Sequence, residues 1–208
     1  LLHLLELTPM RTLIAVLLSG LILVGGSLVR ADRAPPPPSY YPLKVGSKWH
    51  YKMEVNNQTL TAVNEIAKVE NIDGQMLARL ECAINGKVAA TEHLSNTAKG
   101  IFRHRFNGIE ITPPVKLLSF PLKDGDTWKD AVKMGTEKAT YECKVGKEDV
   151  EVPAGKYSAY TTSLELQAGG ATVTTTYWFA ANVGVVKQVA DINGTKITLL
   201  LEKYEAGK

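Results

Sequence analysis

The chain has 208 residues, of which 45% are hydrophobic and 22% charged, and its net charge is +3. This composition excludes a disordered or fibrous chain and suits one domain or two small ones. No Lys/Arg cluster with interleaved aromatics occurs, which excludes the electrostatic footprint of a nucleic-acid binder.

The first features along the chain are an export leader and a spacer. Residues 1–9 precede Met10 and read as upstream translation. Met10-Arg11, the apolar run from Leu13 to Val24, the Gly25-Gly26 break and Val29-Arg30-Ala31 with its small residues form a signal peptide over 10–31. An uncleaved anchor is the competing reading, because Leu13 to Val29 is just long enough to approach a bilayer's thickness. Residues 32–39 contain Pro35 to Pro38 and read as a stiff extended linker. Without residues 1–31 the chain carries 22 basic and 20 acidic residues. The expectation is an exported protein, periplasmic or extracellular, with no membrane span once the leader is removed. In that oxidising setting Cys82 and Cys143 are expected to form a disulfide, two buried thiols being the alternative.

Beyond Tyr40 the chain repeats itself. Pro-Leu-Lys-Val-Gly-Ser-Lys-Trp at 42–49 returns as Pro-Leu-Lys-Asp-Gly-Asp-Thr-Trp at 121–128, and the turn signals that follow each Trp keep the same order, Gly100 matching Gly184. Such self-similarity predicts two related units. Residues 40–208 are read as a single β domain of two repeats, 40–112 and 117–204, with Thr112-Pro113-Pro114 breaking the chain between them.

Asp73-Gly74, Asn85-Gly86, Asn107-Gly108, Gly169-Gly170 and Asn193-Gly194 separate strand-like runs and predict tight hairpins. Two-residue alternation puts Leu80, Cys82 and Ile84 on one face, and Ile197, Leu199 and Leu201 on another. The β-branched and aromatic run from Thr172 to Phe179 suits a strand, and His93 to Lys99 is the best candidate for a short helical turn. The expected fold is all-β and antiparallel, with about ten strands in a β-sandwich or strongly curved half-barrel, since halves of about 80 residues are marginal alone.

Catalytic constellations are not visible. There is no phosphate-cradling loop, nucleophile elbow or metal-ligand spacing; His93 and His104 are far apart in sequence and His50 stands alone. No enzyme activity, metal or cofactor is expected. In Arg103-His104-Arg105 the arginines are read as solvated, opposite a face carrying Phe102, His104 and Phe106; the sharper alternative is an anion-binding fork. Trp49 and Trp128 hold matched places and read as core plugs. An apolar ligand would lie in a concavity between the repeats, lined by Tyr51, Tyr160 and Trp178.

The segments Tyr41 to Tyr51, Val152 to Tyr157, and Thr176 to Ala180 leading into Val183 to Lys187 resemble bacterial exported β-rich proteins of unknown function. More loosely, a long curved sheet in an exported chain is similar to the half-barrels of periplasmic lipoprotein carriers, a likeness that implies a concave face for acyl chains. The expected function is a non-enzymatic cell-envelope domain, an interaction or structural module for an unknown envelope partner. The alternative is a carrier for an apolar or lipid-like small molecule.

Overall fold

Two successive residues with positive φ close a two-residue hairpin whose twist matches that of its strands. All five dipeptides noted above have this geometry, and Asn56-Asn57 adds a sixth that carries no glycine. The computed structural model describes residues 37–208, which form one compact unit; the leader, and the linker up to Pro36, lie outside the described residues.

Twelve strands follow in order: β1 (Lys48–Val55), β2 (Gln58–Ile72), β3 (Gln75–Ile84), β4 (Lys87–Thr97), β5 (Gly100–Phe106), β6 (Ile109–Ser119), β7 (Thr127–Met134), β8 (Glu137–Val152), β9 (Gly155–Ala168), β10 (Ala171–Ala180), β11 (Gly184–Ile192) and β12 (Thr195–Glu205). Each pairs antiparallel with its neighbour in sequence, and β1 pairs with β12, so the sheet closes into a barrel. The all-β antiparallel expectation holds, whereas the sandwich or half-barrel of about ten strands is corrected to a closed barrel of twelve. The turns at Asn56-Asn57 and Gly135-Thr136 explain the undercount, since neither carries the dipeptides used to find hairpins. The segment from His93, expected to turn helically, instead continues β4 to Thr97.

The two copies of the repeated motif make the same hydrogen bonds. Gly46 N–H donates to Ile66 C=O at 2.8 Å, Ser47 N–H to Lys44 C=O at 3.0 Å and Ile66 N–H to Ser47 C=O at 3.0 Å. Gly125, Asp126 and Val145 repeat the set on Val145, Lys123 and Asp126 at 3.0, 3.3 and 2.8 Å. Each motif is a turn that pins the start of one strand to the middle of the next.

Strand alternation sorts the side chains. On β1, Trp49, Tyr51 and Met53 point inward and are buried, while Lys48, His50, Lys52 and Glu54 point outward. The interior is filled: Trp49, Tyr51, Phe179, Leu118 and Leu201 are all 0% exposed. Apolar inside and charged outside is the reverse of an outer-membrane barrel, whose lipid-facing band is apolar.

One seam is nearly unzipped. Between β6 and β7 only Ile111 pairs with Met134 and Thr112 with Lys133, whereas the other seams pair over longer runs. Pro113 and Pro114 lie inside β6 rather than in a chain break, and lacking N–H groups they end its ladder with β7. Beyond them no residue of β6 pairs with β7. There the Lys116 N–H donates to the Tyr141 hydroxyl at 3.2 Å, and the Trp128 indole N–H donates to Lys116 C=O at 3.2 Å. Side chains take over the role that β7 main chain would have played.

Candidate functional site

The residues expected to line a ligand concavity do not converge. Tyr51 is fully buried in the core and donates its hydroxyl to Val185 C=O at 2.7 Å. Tyr160 pairs with Phe179 across β9 and β10, so Trp178, one residue away, projects from the opposite face of the sheet. Tyr160 packs edge-on against Tyr40, with ring centroids 5.7 Å apart. Trp178 lies on the outer side, where its indole N–H donates to Glu148 and the Lys187 ammonium sits 4.5 Å from its ring centre.

Both cysteines are free thiols. Cys82 lies on β3 and Cys143 on β8, strands that do not pair, and the expected bridge is corrected accordingly. Burial pushes their pKa values up, to about 11 for Cys82 and about 12 for Cys143. Neither is a ready nucleophile at neutral pH.

The interior does hold a charged cluster that sequence patterning misplaced. Arg103 on β5 donates to both carboxylate oxygens of Glu92 on β4, at 2.7 and 3.1 Å, and to the Tyr177 hydroxyl on β10 at 3.0 Å. Ordinary alternation from the buried Ile101 puts Arg103 on the inner face, paired with the buried Leu94. A bulge at His104 then brings Phe106 to the same face as Arg103, which is why a two-residue count along Phe102, His104 and Phe106 misplaced the arginine. Burial works against the guanidinium charge, but the Glu92 carboxylate outweighs it and the pKa rises. Burial also raises Tyr177, with Arg103 opposing. The Nε and Nη2 edge of the Arg103 fork is already taken by the Glu92 carboxylate and the Tyr177 hydroxyl.

On the outer side of β4 and β5, His93 Nε2 bonds Glu70 at 2.8 Å and His104 Nε2 bonds Ser95 Oγ at 2.9 Å. The Ser95–His104 pair has the spacing of a nucleophile and its base. Ser95 is buried, however, and no carboxylate orients His104 among the described residues. Burial lowers the His104 pKa, with His93 adding to the effect. Among the described residues no group of three or more His, Cys, Asp or Glu side chains is arranged to hold a metal ion.

An outward groove of about 650 Å³ opens beside the loose seam, where β6 of the first half meets β7 of the second. Ala131, Thr140, Ala171 and Thr172 give it small walls, and Lys133 and Lys138 are its only charged lining residues. The two lysines face each other directly across the β7–β8 ladder. The Pro113-Pro114 pair was the one sequence signal that marked this place.

The fold is that of bacterial proteins described as exported or as lipoproteins. A Parabacteroides distasonis ATCC 8503 protein, provisionally assigned as a lipoprotein, is similar with a TM-score of 0.50 at 12% identity, over 82% of this chain and 100% of that one. An exported protein of Bacteroides fragilis NCTC 9343 with a YmcC-like fold gives 0.45 at 12% identity, over 81% and 99%. The hypothetical lipoprotein YmcC of Escherichia coli K12 gives 0.38 at 14% identity, over 76% and 84%. At such identities the likeness is one of fold. No protein-family model and no curated relative matches the sequence.

Proposed function

We propose that this protein is a non-enzymatic, exported domain of the cell envelope that works by binding another macromolecule on its outer surface. The observation that carries this reading is the filled interior: Trp49, Tyr51 and Phe179 occupy the centre, and the Arg103–Tyr177 bond spans it from β5 to β10. A carrier of the half-barrel kind needs that space for its ligand. The charged outer faces suit an aqueous compartment, and the bacterial proteins of similar fold suit export.

Photo-crosslinking in intact cells tests the reading, with the photoreactive residue placed in turn at outward positions on every strand. Capture of one macromolecular partner from a localised patch is the expected result. A lipid co-purifying in stoichiometric amount, or turnover of ester, glycoside or phosphate substrates lost on a point substitution, would overturn it.

A further inference from the structure

We propose that the free edge of β7 is a strand-addition site for an extended, acidic segment of a partner protein; this rests on the interaction-module reading above. Three features of the seam support it independently: its main chain, its space and its charge.

The first is main-chain chemistry. The two-residue turn after Met134 makes Met134 and Glu137 the closing pair of the β7–β8 hairpin, and alternation then points the N–H and C=O of Lys129 and Ala131 away from β8, into the gap. β6 does not take them. Pro113 and Pro114 have no N–H, and Lys116 is already bonded to Trp128 and Tyr141. The Ala131 N–H is instead held by the carboxylate of its own neighbour, Asp130 Oδ1, at 2.8 Å. Lys129, Asp130 and Ala131 are all exposed. An exposed row of such groups is a template for another strand.

The second is space, since the small walls of the groove beside Ala131 leave room for the alternate side chains of an added strand. The third is charge. Lys133 and Lys138 stand directly opposite each other without an ion-pair partner among the described residues, and like charges in that position repel. A carboxylate laid between the two ammonium groups relieves the repulsion. Asp130, Glu142 and Glu165 border the other side of Ala131, so the acidic part of the segment is directed to the Lys133–Lys138 end. A lipid headgroup or an anionic glycan would answer the charge alone, having no donors and acceptors spaced like a polypeptide's. Asp130 acts as a local guard: it occupies the donor that the incoming strand must use and repels acidic residues.

The experiment uses the mature chain and a blocked peptide alternating glutamate with valine or threonine. A second peptide of the same sequence is N-methylated along one edge, which removes main-chain donors and keeps every charge. Calorimetry is expected to show saturable binding of the first peptide and binding weaker by about tenfold or more for the second. Lys133→Glu with Lys138→Glu is expected to weaken the first peptide by about tenfold or more, and Asp130→Ala to tighten it. Circular dichroism and thermal melts confirm that each variant is folded, and amide exchange at Lys129 and Ala131 should slow when peptide is bound. No saturable binding, equal binding of both peptides, or an unchanged affinity in the lysine double variant would each overturn strand addition. Crosslinks confined to a different patch in the cell-based experiment would do the same while leaving the interaction-module reading in place.

Discussion

Arg103 on β5 and Tyr177 on β10 are joined by a 3.0 Å hydrogen bond that crosses the barrel interior, while Nε and the same Nη of the guanidinium grip Glu92. This ties one half of the barrel to the other through a charge largely removed from water. Removing one partner of such a pair leaves the other charge buried alone, so Arg103→Met is expected to destabilise by about 3–5 kcal/mol in urea denaturation. Adding Glu92→Leu to Arg103→Met should restore much of the loss. A double variant as unstable as the single one would mean that the cost lies in packing rather than in the stranded carboxylate.

Gly100 and Gly184 open β5 and β11 with φ of 142° and 101°. A Cβ on Gly100 would lie 2.1 Å from Leu118 O, and one on Gly184 would lie 2.9 Å from the Tyr41 ring and 3.2 Å from the Trp49 indole nitrogen. Gly100→Ala is therefore expected to fold poorly, and Gly184→Ala to lose about 1–3 kcal/mol. Gly86→Ala is the control. Its φ is also positive but the space around it is open, so it should cost less than either.

Tyr141 and Trp128 bond the Lys116 main chain that β7 leaves unpaired. Tyr141→Phe removes the acceptor of the Lys116 N–H and is expected to cost about 1–3 kcal/mol, the penalty for a buried donor left unpaired. Faster hydrogen exchange of the Lys116 amide, with little change at Trp49 on the far seam, would localise the effect. A uniform rise in exchange across the barrel would contradict it.

Thiol reactivity follows from burial. Cys82 and Cys143, at about 11 and about 12, should react slowly with iodoacetamide at pH 8 in the folded protein, and both should react promptly in denaturant without reductant. Mass spectrometry counts the labels. Two labels in denaturant is the expected result, and none would restore the disulfide.

Glu70 accepts hydrogen bonds from Lys68 and from His93, and these hold its carboxyl at about 2, well below the usual value. A carboxyl lowered by folding stabilises the fold above its ordinary pKa of 4.5, and that contribution fades as pH falls toward about 2. Glu70→Gln should therefore flatten the stability profile across that interval. A Glu70 carboxyl resonance that titrates near 4.5 in the folded protein would show that the two donors do not act as described.

Much of this architecture could be read from residues alone because its signals are local. A two-residue hairpin turn requires positive φ, which Asn-Gly and Asp-Gly pairs adopt at little cost, and alternation along Leu80–Cys82–Ile84 or Ile197–Leu199–Leu201 needs nothing beyond the strand itself. Even the strand starts at Trp49 and Trp128 were marked, since each motif carries its own turn glycine. Tertiary structure decided the rest. Closure depends on pairing β1 with β12 across the whole chain. A one-residue bulge at His104 put Arg103 and Phe106 on the same inner face, which a two-residue count could not foresee, and there only β4 and β10 could supply Glu92 and Tyr177. The seam at Pro113-Pro114 became an open strand edge rather than a linker because β6 continues through the prolines and finds side-chain partners on β7 and β8. Local residue preferences determine which segments are strands and where they turn; which face is inside, and where the barrel stays open, depend on contacts between residues far apart in sequence.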